Sequence, residues 1–100
     1  MWAISRFRVS DVQTFVPAAT AAEEWFRGRP GNLSSELVQN LDDPTLWALV
    51  SHWQDVGSYR RAFNGHDAKM ILMPILGQAI DEPSAYAAPD EVGENLPRAR

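Results

Sequence analysis

A turn followed by a strictly alternating segment constrains the fold more than any other part of this sequence. The turn is Asp42-Asp43-Pro44, in which Asp side chains bond nearby backbone amides and Pro presets the bend. Residues 45–53 then alternate between two faces. One face carries Trp47, Leu49, Ser51 and Trp53, and the other carries Leu46, Ala48, Val50 and His52. The pattern predicts a β-strand that the turn joins to a preceding strand as a hairpin.

Three further segments have weaker strand patterns. Residues 2–9 alternate with apolar side chains on both faces, and residues 33–41 form the preceding strand of the hairpin. In that preceding strand, Leu33, Leu37 and Leu41 share one face. Residues 80–87 predict a last strand, which Pro83 restricts to an edge or an end of the sheet. Because both faces of the first and third strands are substantially apolar, we expect both faces to be covered.

The first helix is predicted between the first two strands. Ser10 and Asp11 offer N-cap oxygens, and the helix ends at about Arg27 before a Pro-Gly turn. Its apolar residues at helical spacing are Val12, Phe15, Ala19, Ala22 and Phe26. Because a proline inside a helix removes a hydrogen bond, we expect the helix to start near residues 14–16, with Pro17 in its first turn.

A second helical region follows the third strand. It is expected to be split at Gly65 and to be ended by Pro74 and Gly77. The residues that fit its helical spacing are Tyr59, Phe63, His66, Met70 and Met73. Residues 88–100, with two prolines and several charges, predict a flexible C-terminal tail.

The order strand, helix, strand, strand, helix, strand predicts a ferredoxin-like α+β domain over residues 1–87. Helices cover one face of such a sheet. A two-fold dimer in which two sheets face each other would bury the second face. At about 25 cal/mol per Å² of apolar surface, several hundred Å² of burial would contribute substantially to the stability of so small a domain.

Composition excludes several classes of function. The net charge of −4 and the scattered arginines, with Arg60-Arg61 as the only adjacent basic pair in the body of the chain, argue against nucleic-acid binding. The absence of cysteine excludes disulfides, thiolate metal sites and cysteine nucleophiles. Two histidines, His52 and His66, give no recognisable ligand spacing, so no metal is expected.

The chain is also expected to be a cytoplasmic protein. Residues 2–9 contain no basic region followed by an apolar run, so they do not predict an export signal. The longest apolar run after them, Met70 to Leu76, is far shorter than the roughly 20 residues of a membrane-spanning helix.

Two local motifs are similar to those of a known family. Glu24-Trp25-Phe26-Arg27 precedes Pro30-Gly31 at the end of the first predicted helix, and Trp53 ends the third strand six residues before Tyr59. In order and spacing the chain resembles the antibiotic biosynthesis monooxygenase domain over most of residues 1–86. The resemblance implies a dimeric α+β barrel.

The quinone-forming members of that family oxidise anthrone-type aromatics with oxygen and use no metal or flavin. The resemblance implies that Trp25, Trp53 and Tyr59 line the pocket, with Tyr59 and Trp53 as catalytic residues and no cofactor. Two positions depart from the family pattern, because its Asn is Leu49 here and its Arg falls near Met73. Lys69 or Asn40 would replace these polar groups only in a favourable geometry.

Haem-degrading enzymes of the same superfamily match less well. Their Asn would fall near Arg6 or Phe7, their Trp near Ala62 and their haem-binding His near Ile71. His66 lies several residues too early, so the sequence disfavours haem degradation.

The candidate binding residues have a functional and a structural interpretation. The substrate-binding set is Trp25, Trp47, Leu49 and Met73. In the functional interpretation, Trp25, Trp47 and Leu49 form a flat apolar slot for a polycyclic ring together with Trp53 and Tyr59. In the structural interpretation, the same side chains only pack in the core or at a dimer interface. His52 is a candidate general base, and its alternative role is a hydrogen bond at a dimer interface.

Two hypotheses of function remain. The first is cofactor-independent oxygenation of an aromatic, quinol-like small molecule, in which the Tyr59 phenol binds a substrate oxygen. The second is a non-catalytic dimeric module that binds a hydrophobic ligand or another protein, and it is favoured by the apolar residues Leu49 and Met73 at the polar positions of the family pattern. The sequence does not identify the substrate.

Overall fold

A computed structural model describes residues 1–95 of the chain, with side chains described through residue 92. The elements in chain order are β1 (Trp2–Arg8), α1 (Val12–Arg27), β2 (Asn32–Gln39), β3 (Leu46–Trp53), α2 (Val56–Arg61), α3 (His66–Leu76), β4 (Ala85–Tyr86) and α4 (Pro89–Asn95). The four strands form one antiparallel sheet in the order β2-β3-β1-β4. The predicted ferredoxin-like α+β arrangement is confirmed.

Helix α1 begins earlier than predicted. Asp11 caps it by accepting a hydrogen bond from the Thr14 amide at 3.3 Å, and the helix starts at Val12. The predicted start near residues 14–16 is therefore wrong, and Pro17 lies in the second turn. Four of the five predicted apolar positions are buried, namely Phe15, Ala19, Ala22 and Phe26. Val12, in the first turn, is exposed.

The second helical region is split as predicted, because Gly65 adopts a φ of 95° between α2 and α3. The predicted face of α3 is wrong. Its buried residues are Ala68, Leu72 and Ile75, whereas Met70 and Met73 are each 62% exposed. The true face is displaced by two residues, which is more than half a helical turn. Pro74 lies inside the helix, and Gly77 caps it.

The core lies between one face of the sheet and helices α1 to α3. The sheet contributes Ala3, Phe7, Leu49, Ser51 and Trp53, and the helices contribute Phe15, Ala19, Ala22, Phe26, Ala68, Leu72 and Ile75. The alternation predicted for β1 and β3 is confirmed on this face. The β2 prediction extended too far, since the strand ends at Gln39 and Leu41 lies fully exposed in the turn.

The opposite face of the sheet, which we call the open face, is incompletely covered in the described residues. Its apolar and ring-bearing members on β1 and β3 are Trp2, Ile4, Leu46, Ala48, Val50 and His52. Val38 of β2 and Tyr86 of β4 extend this surface to both edges. These eight side chains are half-buried or exposed, and Trp2 is 43% exposed. The exposed Arg6 and Arg8 of β1 alternate onto the same face.

The last strand is shorter than the predicted residues 80–87 and lies at a sheet edge, as Pro83 indicated. The Ile80 amide donates a hydrogen bond to the Arg6 carbonyl at 2.8 Å, and the Ile4 amide donates one to the Ser84 carbonyl at 2.7 Å. Residues 81–83 loop out between these two bonds. Helix α4 lies within the predicted tail, residues 88–100. Residues 96–100 of this tail lie outside the described part of the chain, and the flexibility of the tail stays a prediction.

Candidate active site

The looped segment before β4 bounds a cavity of about 430 Å³, which we call the first cavity. Its apolar lining consists of Ile4, Phe63, Leu76, Ala79 and Ile80, and its polar lining consists of Ser5, Arg6, Tyr59, Asp81, Glu82 and Ser84. The β1 edge, helices α2 and α3, and the segment that follows α3 supply these residues. A volume in the range of about 300–1,000 Å³ is typical of small-molecule sites.

Tyr59 is held in this wall by a cluster of aromatic rings. Its ring centroid lies 5.7 Å from that of Trp53 and 5.1 Å from that of Phe63, both in edge-on geometry. Phe26 of α1 lies 6.3 Å away and contacts both neighbours of Tyr59. Edge-to-face contacts of this kind fix the plane of a ring, so the phenol direction is well defined.

Ser84 lines the first cavity together with Tyr59. Burial raises the pKa of the Tyr59 phenol, and the neighbouring Ser84 hydroxyl opposes that rise. The phenol is therefore neutral at ordinary pH and retains its O–H bond. It can donate a hydrogen bond to an oxygen that becomes negative during a reaction.

A second cavity of about 710 Å³ lies on the other side of Tyr59 and Ser84, and both residues line it as well. The rest of its wall includes Met1, Val56, Arg60, Ala85, Tyr86, Glu91 and Val92. Helix α4 thus forms part of the wall through Glu91 and Val92. Tyr59 and Ser84 together mark the boundary between the two cavities.

An ion pair lies at the rim of the first cavity. The Arg6 guanidinium donates from Nε and Nη2 to the two carboxylate oxygens of Glu82 at 2.7 and 2.8 Å. These hydrogen bonds raise the pKa of Arg6 and lower the pKa of Glu82. Both groups remain charged at neutral pH, and the pair fastens the looped segment to β1.

Trp53, a predicted catalytic residue, lies beneath the site. It is 1% exposed, and its indole N–H donates to Ser51 Oγ at 2.8 Å. It contacts Tyr59 and lines neither cavity. In this structure Trp53 supports the Tyr59 ring.

The structure does not bring the predicted aromatic slot together. Trp47 and Trp53 are six residues apart on one strand, a separation of about 20 Å at roughly 3.3 Å per residue. Trp47 packs edge-on against Phe15, whereas Trp53 packs against Phe26 at the other end. Leu49 lies between them and is buried in the core.

Trp25 joins the end of α1 to the end of α2. Its indole N–H donates to the Ala62 carbonyl at 2.9 Å, and the Arg29 guanidinium lies 4.1 Å from its ring centroid. Met73 is exposed on α3, and His52 stacks on Trp2 in the open face. These three predicted site residues line neither cavity.

Sequence analysis did not predict several of the residues that line the first cavity. Ser84 and Ile80 carry little signal in themselves, because small polar and aliphatic residues occur throughout the chain. Pro83 is the one residue whose type could have indicated this cavity. A proline within a strand pattern interrupts the pairing, and the interruption leaves space beside the neighbouring strand. Phe63 was predicted only as a member of the helix face.

The described residues contain no group of three or more His, Cys, Asp or Glu side chains that could hold a metal ion. No helix among them has the length and apolar character needed to cross a membrane.

Comparison with known proteins identifies one family. Residues 6–70 match the family model described as antibiotic biosynthesis monooxygenase. No curated protein sequence matches the chain.

Solved structures share the fold. A variant of SnoaB, a cofactor-independent oxygenase from Streptomyces nogalater, has 18% identity and a TM-score of 0.75, with 88% of this chain and 91% of that chain covered. A conserved protein from Methanosarcina mazei has 21% identity, a TM-score of 0.68 and 84% coverage of each chain. An antibiotic biosynthesis monooxygenase has 15% identity and a TM-score of 0.68, covering 88% of this chain and 98% of that chain.

Proposed function

Because the chain belongs to the antibiotic biosynthesis monooxygenase family, we propose that it oxygenates an aromatic, quinol-like small molecule without a cofactor. The substrate ring occupies the first cavity, and one of its oxygens accepts a hydrogen bond from Tyr59. The observation that carries the proposal is the neutral Tyr59 phenol in the wall of a cavity of suitable volume, which has apolar side chains such as Phe63 and Ile80 beside it.

The chemistry requires only the substrate and oxygen. An anthrone-type substrate releases a C–H proton to solvent, and the negative charge spreads onto its oxygen, where Tyr59 stabilises it. The carbanion then gives an electron pair to O₂ and forms a C–O bond. The resulting peroxide takes up a proton and loses water to leave a carbonyl, so that one oxygen atom remains in the quinone.

The apolar residues of the cavity contribute to this reaction by excluding water and orienting the ring. In the cavity wall, Phe63 offers a flat aromatic contact surface and Ile80 offers an aliphatic one. His52 stacks on Trp2 and does not line the cavity, so the proposal gives it no proton-transfer step.

We also propose that the protein forms a two-fold homodimer through the open face. The support is the set of apolar side chains that β1 and β3 leave incompletely covered there, including Trp2, Ile4 and Val50. At about 25 cal/mol per Å², burial of several hundred Å² of this surface would stabilise the association appreciably.

A non-catalytic binding module is the second candidate. It is favoured by Leu49 and Met73, which occupy the positions where the quinone-forming members have polar residues. Leu49 is buried in the core and Met73 points to solvent, so neither supplies a polar group to the first cavity.

Oxygen uptake by the purified protein tests the proposal. A panel of anthrones and naphthohydroquinones is supplied in aerated buffer, and Tyr59→Phe is compared with the matched control Tyr86→Phe. We expect protein-dependent uptake that falls by about 10²-fold or more in Tyr59→Phe and stays near the starting value in Tyr86→Phe.

Binding of the corresponding oxidised quinones, followed by quenching of tryptophan fluorescence, distinguishes the two candidates. Retained binding with lost turnover in Tyr59→Phe supports the enzyme. Tight binding without uptake for any quinol supports the non-catalytic module.

A further inference from the structure

The backbone of β1 alternates between two edges, because successive residues of a strand direct their N–H and C=O groups to opposite sides. The Met1 carbonyl accepts a hydrogen bond from the Trp53 amide at 2.8 Å, and the Val9 amide donates one to the Thr45 carbonyl at 2.7 Å. The register between them is unbroken, so the odd-numbered residues face β3. The even-numbered residues direct their backbone groups to the outer edge, where β4 and the segment before it lie.

Two hydrogen bonds fasten that segment to the outer edge, one on either side of Ser5. The Ile4 amide donates to the Ser84 carbonyl at 2.7 Å, and the Ile80 amide donates to the Arg6 carbonyl at 2.8 Å. One residue separates the two bonds on β1, whereas three residues separate them on the facing segment. Residues 81–83 therefore loop out, as the extra residues of a β-bulge do.

The loop leaves one acceptor and one donor of β1 unpaired. The Ile4 C=O and the Arg6 N–H point to the outer edge between the two bonds, and no backbone or side-chain group among the described residues bonds to either. Ile4, Ser5 and Arg6 all line the first cavity, in whose wall Tyr59 also lies. A ligand in the cavity can satisfy both unpaired groups.

We propose that this edge of β1 is a second polar subsite of the first cavity, and that it selects aromatic ligands with oxygens on two neighbouring ring carbons. One ligand oxygen accepts a hydrogen bond from the Arg6 N–H, and the neighbouring hydroxyl donates one to the Ile4 C=O. The inference rests on the proposed function for the aromatic class of the ligand, and it narrows that class to catechol-like compounds. The Tyr59 phenol remains available to a further oxygen of the same ligand.

The charges around this edge favour a neutral ligand. The Arg6 guanidinium bonds both carboxylate oxygens of Glu82 at 2.7 and 2.8 Å, so its charge is already compensated. Asp81 and Glu82 line the same cavity, and the Ile4 carbonyl oxygen carries partial negative charge. A carboxylate would meet these like charges. A hydroxyl beside a second neutral oxygen instead presents the donor and the acceptor that the edge requires.

Amide hydrogen exchange, followed by NMR, tests the proposal on the wild-type protein. The probe is 2,3-dihydroxynaphthalene in oxygen-free buffer, and naphthalene is the matched ligand without oxygens. We expect the Arg6 amide to exchange freely in the unliganded protein, and at least about tenfold more slowly at a saturating concentration of the probe. The Arg8 amide is the internal control, because it lies on the same edge but outside the first cavity, and its exchange should not change.

Protection of the Arg6 amide before ligand is added would overturn the proposal, as would a probe that fails to bind or that leaves this amide unprotected. Equal protection by naphthalene would also overturn it, because naphthalene excludes water without forming a hydrogen bond. The assay requires no turnover. A protein without oxygenase activity therefore refutes the proposed function but not the subsite, whereas an active protein with an unprotected Arg6 amide refutes the subsite alone.

A pair of variants isolates the Arg6 N–H in binding. Arg6→Pro removes the amide hydrogen at a position whose N–H faces no neighbouring strand, Arg6→Val keeps it, and both lack the guanidinium. With quenching of tryptophan fluorescence as the readout, we expect 2,3-dihydroxynaphthalene to bind about three- to tenfold more weakly to Arg6→Pro than to Arg6→Val, and naphthalene to bind both equally. Equal affinities of the probe for the two folded variants, or an equal loss for both ligands, would contradict the role of the N–H. If Arg6→Pro does not fold, the exchange measurement on the wild-type protein decides.

Discussion

Trp2 and His52 stack face to face on the open side of the sheet, with ring centroids 3.8 Å apart and planes only 5° from parallel. They are direct cross-strand partners in the antiparallel pair of β1 and β3. Tyr86 pairs with Trp2 on its other side, so three ring-bearing residues follow one another across the strands. The stacked pair lies next to the aliphatic side chains Ile4 and Val50.

We predict that Trp2→Ala weakens the proposed homodimer. Loss of a large aromatic contact at the middle of an interface costs about 2 kcal/mol or more, which corresponds to at least a roughly 30-fold rise in the dissociation constant. Sedimentation velocity over a dilution series measures the change. Met70→Ala is the control, because Met70 is exposed on α3, away from the open face. Equal dissociation constants for the two variants would argue against this interface.

The sheet could be predicted from sequence because its pattern has a period of two. Any apolar residue of β3 falls on one face or the other, and the residues opposite it follow from the hairpin. The face of α3 could not be found in this way. Met70 and Leu72 are both apolar, so hydrophobicity alone did not show that Leu72 enters the core while Met70 faces solvent.

Replacement of Gly31 by Ala is predicted to destabilise the protein more than replacement of Gly65. Both glycines have positive φ, 86° and 95°, so both substitutions impose backbone strain of about 1 kcal/mol or more. At Gly31 the new Cβ would also overlap the Ser58 side chain, whereas at Gly65 it meets no atom within 4 Å. Urea unfolding of the two variants measures the difference. Equal losses would mean that the turn before β2 does not approach α2 this closely.

The Trp25 indole N–H should contribute to stability through its bond to the Ala62 carbonyl. We expect Trp25→Phe to lower the free energy of unfolding by about 1–3 kcal/mol, since a part-buried carbonyl loses its donor. Trp47→Phe is the matched control, because its N–H donates to Pro44 in an exposed contact at 3.2 Å. Chemical unfolding should show the larger loss for Trp25→Phe, and the reverse order would contradict the assignment.

The candidate site was less accessible to sequence analysis than the fold. Trp47 and Trp53 share a face, but sharing a face does not bring two residues close when six positions separate them along an extended chain. The Tyr59 neighbourhood depends on tertiary contacts from Phe26 and Ser84, which are far from it in sequence. No local pattern specifies such contacts, so the position of Tyr59 was predicted only through the family resemblance.

Asp55 should make stability depend on acid pH, because it caps the helix that carries Tyr59. Its carboxylate accepts a hydrogen bond from the Ser58 amide at 2.7 Å, and this bond lowers the pKa of Asp55 in the folded protein. Since the folded pKa lies below the unfolded value of about 4, the contribution is complete above that value and is lost as pH falls through the folded pKa.

Asp55→Asn isolates this effect, because asparagine caps a helix without a titrating group. We expect the wild-type protein to be more stable than Asp55→Asn at neutral pH, and the difference to shrink steadily below about pH 4. Urea unfolding at a series of pH values measures the difference directly. A stability difference that stayed constant down to the lowest pH at which both proteins fold would contradict this prediction. In that case the cap would depend on hydrogen-bond geometry alone, and the Asp55 charge would not stabilise the start of the helix that carries Tyr59.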